Sequence, residues 1–177
     1  MSYFKLVFLI CFTISSHLFS QLSGNSTLSV NLPVVTLMDI EPTGAISMNF
    51  TAPTEAGMAI VVPAINTTKW INYTSAIVSG GATRKITASV NPVIPGVDIK
   101  IQAAAASGAG GGTLGTPTSQ VTLNTTSQTI ISGIGGAFTG NGVNNGHRLT
   151  ISLSTNTYAN LSARTNTAVV IVYTITE

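Results

Sequence analysis

The chain has 177 residues and a net charge of +2, and only 7% of its side chains are charged, against about 25% in an ordinary globular domain. With 44% hydrophobic residues it lacks the signature of a disordered chain. It also has no surplus of Lys and Arg with which to neutralise phosphates, which argues against nucleic acid as a partner. The length suits one domain with a real core.

Met1 to Ser20 (MSYFKLVFLICFTISSHLFS) places Lys5 ahead of a short apolar run, Leu6 to Ile14. A membrane-spanning helix needs about 20 apolar residues, which this run does not reach. A charged start, a short apolar centre and a polar end with small residues describe a secretory signal peptide, 1–20. Cleavage is expected after Ser20, leaving 21–177 as one domain; Ser16 is the alternative, because Leu18 is large for the third position before a cut. Cys11 lies inside the run without the small residues before it that bacterial lipid attachment requires, so no lipid anchor is expected. Beyond Ser20 there is neither a cysteine nor an apolar stretch of spanning length, so no disulfide and no transmembrane segment are expected after cleavage.

The rest alternates with a period of two. Leu28, Val30 and Leu32 alternate with Ser29 and Asn31, and Ile46, Met48 and Phe50 with Ser47 and Asn49. Gly57 to Pro63 (GMAIVVP) is apolar on both faces. Lys69 to Thr74 (KWINYT) reads as a strand with Trp70 and Tyr73 on opposite faces. Alternation returns at Ile86, Ala88 and Val90, at Val97, Ile99 and Ile101, and at Leu149, Ile151 and Leu153. Turn residues separate these runs: Pro42-Thr43-Gly44, Ser79-Gly80-Gly81, Pro92 to Gly96, Ser107 to Gly112 and Asn144-Asn145-Gly146. Thr167 to Ile175 (TAVVIVYTI) is again apolar on both faces, as in the middle of a sandwich or where an outer face meets another chain. No window carries a comparable helical stripe, and strands at this spacing mean an all-β sandwich or barrel.

Candidate chemistry is sparse. Gly110 to Gly115 matches G-x-G-x-x-G, but Thr116-Pro117-Thr118-Ser119 follows where a dinucleotide site needs a helix, so no cofactor is expected. His147, the only histidine beyond the leader, sits beside the Asn-Asn-Gly turn, where a solvated ring is expected. No nucleophile elbow accompanies it, and no catalytic residue is assigned. Asp39 and Glu41 share a strand face, but the mature chain has too few carboxylates for the six to eight oxygens of calcium, and one histidine without cysteine makes no zinc site. The Asn-x-Ser/Thr triplets at Asn25, Asn49, Asn66, Asn72, Asn124 and Asn160 follow from composition. Trp70 and Tyr73 remain as rings able to stack on a sugar, with a core position for Trp70 as the alternative.

Two segments carry a resemblance. The leader is followed by an alternating stretch, Asn25 to Leu32 (NSTLSVNL), and the chain closes on an alternating strand, Thr167 to Glu177 (TAVVIVYTITE), with Tyr173 near its end. In this layout the chain resembles secreted subunits of Gram-negative surface fibres, the fimbrial pilins and the spore-coat-U-like subunits of the archaic chaperone–usher type. Unlike many pilins it has no disulfide, and Tyr173 is not penultimate. The resemblance implies a single immunoglobulin-like β-sandwich of about 8–10 mainly antiparallel strands, exported through the periplasm to the cell surface and completed by a neighbour's N-terminal strand. Its partners would be further copies of itself or other fibre subunits. The residues argue in parallel: Leu28, Val30 and Leu32 offer side chains to a neighbour's groove while their backbone extends its sheet, with pairing inside their own sandwich as the alternative. Sparse charge also favours contact between copies. The expected function is thus structural or adhesive rather than enzymatic; the alternative is a module that binds carbohydrate or another surface ligand through Trp70 and Tyr73.

Overall fold

The computed structural model describes residues 24–177, so the expected leader, 1–20, lies outside the described residues. The chain divides between Leu32 and Pro33. Every strand lies in the second unit: β1 Val35–Glu41, β2 Trp70–Ala76, β3 Arg84–Asn91, β4 Val97–Ala103, β5 Gly111–Pro117, β6 Val121–Thr122, β7 Gln128–Phe138, β8 His147–Thr155 and β9 Val170–Thr176. The ladders between them are all antiparallel. Their order is β6-β4-β8-β2-β7-β3-β9, with β1 added on β2 and β5 on β7. This is the all-β, antiparallel architecture that the alternation implies.

β2 is the joint of the sheet. Trp70 and Ile71 pair with Arg148 and His147 of β8, whereas Thr74 and Ser75 pair with Phe138 and Ala137 of β7. One strand therefore belongs to the β6–β4–β8 group at one end and to the β7–β3–β9 group at the other. The two groups are tied again beyond β6, where the Leu123 amide donates to Ile99 of β4 (2.8 Å) and the Val90 amide of β3 donates to Asn124 (2.9 Å). Side chains from strands that are not neighbours in the sheet consequently share one core: Ile71, Ile86, Ile101, Ile131 and Leu149 all belong to it. Burying each such side chain contributes roughly 1.5–3 kcal/mol.

The alternating runs at 86–90, 97–101 and 149–153 turn their apolar sets inward, with Leu153 only partly buried. Other segments depart from expectation. β7 buries the adjacent residues Ile130 and Ile131, and the ladder to β3 slips in register on either side of Ile86, which lets neighbouring side chains face the same way. The glycine-rich stretch expected as a turn becomes β5 from Gly111 onward. Gly112 makes this possible: its φ is 87°, and a Cβ there would lie 2.2 Å from the Gly136 carbonyl oxygen of β7.

Ile46 and Met48 pack against the core as their spacing implies, yet their segment forms no strand. Gly57 to Pro63 does not bury both faces: Met58, Val61 and Val62 are exposed, and the segment is held by a bridge between Thr51 and Val61 and by the Ile60 amide, which donates to the Tyr158 hydroxyl (3.3 Å). The closing strand is likewise not in the middle of a sandwich. β9 pairs with β3 alone, and Val170 and Val172 on its outer face are 58% and 47% exposed. β7 already occupies the other side of β3, which leaves β9 at the margin.

Candidate functional site

Gly24 to Val34 carries no strand, and within it Leu28, Val30 and Leu32 are 85%, 69% and 85% exposed. Hydrophobic residues scattered singly on a surface need no explanation, but an alternating set in an unpaired segment is a strand without a sheet. Ser26 to Leu32 contains no charge and no proline until Pro33.

β9 supplies the reciprocal feature. Its sequence, VIVYTIT, has no charged residue, no glycine and no proline, and its seven-residue ladder with β3 runs without a register shift. Ile171, Tyr173 and Ile175 face the core yet remain only partly buried, so the inner face is not fully covered at this edge. Sufficient burial remains to push the Tyr173 phenol well above its ordinary pKa. Proteins blunt their free edges with charges, prolines, bulges or short strands. β1 carries Asp39 and Glu41, β5 carries three glycines' worth of irregular backbone through Gly111, Gly112 and Gly115 together with Pro117 and a register shift, and β6 has two residues. Among the described residues β9 is the free edge without such protection.

The two ring candidates separate. Tyr73 is buried, its hydroxyl donating to the Leu114 carbonyl and its ring stacked on His147 with centroids 5.8 Å apart. It presents no face to a surface ligand, which corrects the expectation of an exposed ring. The reason is the β2 register, which turns Ile71, Tyr73 and Ser75 toward the interior. Trp70 lies on the opposite face, half-buried, between Glu41 of β1 and Arg148 of β8.

His147 is fully buried rather than solvated. As the first residue of β8 it pairs with Ile71, and its Nδ1 lies 2.8 Å from the Ala104 carbonyl. Nε2 lies 3.1 Å from the Tyr73 hydroxyl and 3.2 Å from the Leu114 carbonyl. Burial lowers its pKa, opposed by those carbonyls, which favour the charged ring. The Tyr73 phenol is raised by the same desolvation. Tyr73 and His147 thus form an internal polar joint linking β2, β5 and β8, with neither ring offered to solvent.

Asp39 and Asn72 stand opposite each other across β1 and β2, and no group of three or more metal-ligating side chains occurs among the described residues. Among those residues no helix is long and apolar enough to cross a membrane. Sequence reasoning missed Phe138 and Asn72 on the outer face, because β7 is interrupted by glycines and an asparagine in a strand gives no signal of its own. It also missed the lack of edge protection on β9, although the charge-free run between Arg164 and Glu177 was visible. No protein-family model matches the chain, and neither a curated protein nor a solved structure matches it.

Proposed function

We propose that the chain is a secreted structural subunit of a surface filament or adhesive layer, and that copies join by β-strand addition. Ser26 to Leu32 of one copy pairs along the free edge of β9 in the next. The observation that carries this reading is the match between a charge-free alternating segment that forms no strand and a charge-free edge of seven residues. In this arrangement the backbone of the incoming segment satisfies the open amides and carbonyls of β9, and its alternate side chains cover the partly buried Ile171, Tyr173 and Ile175. Leu28, Val30 and Leu32 leave water at the same time. Export follows from the leader, whose Lys5 and short apolar run are those of a signal peptide.

The test is the association state of the mature chain, read by size exclusion and electron microscopy, against a variant that lacks residues 25–32. Polymers or a ladder of oligomers from the first, and monomers from the second, support the proposal. Monomers from both overturn it.

A further inference from the structure

The chain contains two Asn-Gly pairs, Asn141-Gly142 and Asn145-Gly146, and both fall in the segment that joins β7 to β8. Local sequence treats them nearly alike, because glycine has no Cβ to hinder its neighbour and leaves the backbone free to bend back on the asparagine. The fold treats them differently.

Asn145-Gly146 is locked. Asn145 Oδ1 accepts the Ala109 amide (2.9 Å), and its Nδ2 donates to the Asn141 carbonyl (2.8 Å). The Gly146 amide donates to the Ser107 carbonyl over 2.9 Å, and Gly146 is buried so closely that a Cβ would lie 2.2 Å from the Ile71 carbonyl oxygen. Asn141-Gly142 is open. Asn141 is exposed, and among the described residues neither its side chain nor the Gly142 amide makes a hydrogen bond. A Cβ at Gly142 would meet nothing within 4 Å.

We infer that Asn141 is a site of spontaneous deamidation and that the fold protects Asn145 from the same reaction. A solvent base removes the Gly142 amide proton, and the nitrogen attacks Asn141 Cγ. A C–N bond forms to close a succinimide ring, the bond from Cγ to Nδ2 breaks, and the side-chain nitrogen leaves as ammonia with a proton from water. Water then opens the ring. Breaking the bond from Cγ to the Gly142 nitrogen leaves aspartate, and breaking the bond from the main-chain carbonyl carbon to that nitrogen leaves isoaspartate. The net reaction consumes one water, releases one ammonia and changes no oxidation state. At Asn145 the same attack requires the bonds to Ala109, Asn141 and Ser107 to break first, so it proceeds only through local opening. At Asn141 nothing has to open. The new carboxylate lies on the surface that Asn141 shares with Asp39, and it takes one unit from a formal net charge of +2.

The segment joins β7 to β8 and includes no residue of β9, so the inference stands independently of strand addition. The experiment is incubation of residues 21–177 at mildly alkaline pH, then digestion with pepsin at acidic pH, where the reaction is slow, and tandem mass spectrometry. Fragment ions that break the chain between Gly142 and Asn145 tell the two asparagines apart. Asn141 is expected to gain about 1 Da. In the folded chain it is expected to convert faster than Asn145 by about tenfold or more, and a parallel incubation in urea is expected to bring the two rates together. Asn141→Gln, at an exposed position, is expected to keep the fold and to remove the first acidic species seen on ion exchange. A smaller ratio in the folded chain, or a ratio that persists in urea, overturns the inference. So does a folded chain whose Asn141 stays intact while the urea-unfolded chain converts, or an acidic species that survives Asn141→Gln.

Discussion

The guanidinium of Arg84 donates to the carbonyl of Val35 over 2.7 Å, so the residue that opens β3 holds the residue that opens β1. The same Nη1 reaches Ser75 Oγ at 2.9 Å, whose hydroxyl donates on to Gly135 of β7, and Nη2 lies 3.9 Å from the carboxylate of Glu177. A buried cation thus ties together the start of β1, the end of β2 and the residue just past β9.

Arg84→Met removes these donors and leaves buried carbonyls unpartnered, which is expected to destabilise the fold by roughly 2–4 kcal/mol. Glu177→Gln is expected to shift stability by less than about 0.5 kcal/mol, because its carboxylate is mostly in water and such pairs contribute little. Urea unfolding midpoints of the two variants separate the contributions.

His147 sets a pH dependence. Its folded-state pKa is lowered by burial relative to about 6.5 in the unfolded chain, so below that value the unfolded chain binds a proton that the folded one resists. Stability is therefore fully present above pH 6.5 and falls as pH drops toward the folded pKa. Thermal melts of residues 21–177 between pH 7.5 and 5 read this slope, and His147→Gln is expected to flatten it while lowering stability overall. An equal slope in that variant assigns the effect elsewhere.

Gly112 stands opposite Ala137 of β7, against the Gly136 carbonyl, yet Gly112 and Gly136 differ in what they tolerate. Gly112→Ala meets both a positive φ and the Gly136 carbonyl oxygen 2.2 Å from the new Cβ, and is expected to destabilise by more than about 2 kcal/mol. Gly136→Ala finds nothing within 4 Å and is expected to cost less than about 0.5 kcal/mol. Denaturant titration of the pair tests the close approach of the two strands.

Val172→Lys places a charge on the exposed face of the unprotected edge. Because the side chain is half in water, fold stability is expected to change by less than about 0.5 kcal/mol. Association, read by sedimentation velocity, is expected to fall sharply, as charged edges resist pairing. Unchanged association moves the contact away from β9.

Much of this architecture is legible in the residues. Period-two runs such as Ile86, Ala88 and Val90 state both that a strand exists and which face is inward, since no other regular structure buries every second residue. Where the ladder slips, as at Ile86, or where glycines carry it, as at Gly112 and Gly115, periodicity is lost and β5 and β7 disappear from view. The apolar character of Gly57 to Pro63 and of β9 misleads in the opposite direction, because hydrophobicity alone does not distinguish a buried strand from an edge awaiting a partner. The burial of His147 and Tyr73 depends on Ala104 and Leu114, which lie far from both in sequence. The meeting of Leu37, Thr74 and Phe138 on one face is equally non-local, because only register brings them together.

Hydrogen–deuterium exchange on residues 33–177, with and without a synthetic peptide of Asn25 to Leu32, tests the pairing of segment and edge most directly. The account expects the peptide to slow exchange at the alternate amides of Val170–Thr176 that β3 does not engage, and to leave β1 and β5 unchanged. Unaltered exchange across β9, or protection confined to another edge, contradicts it.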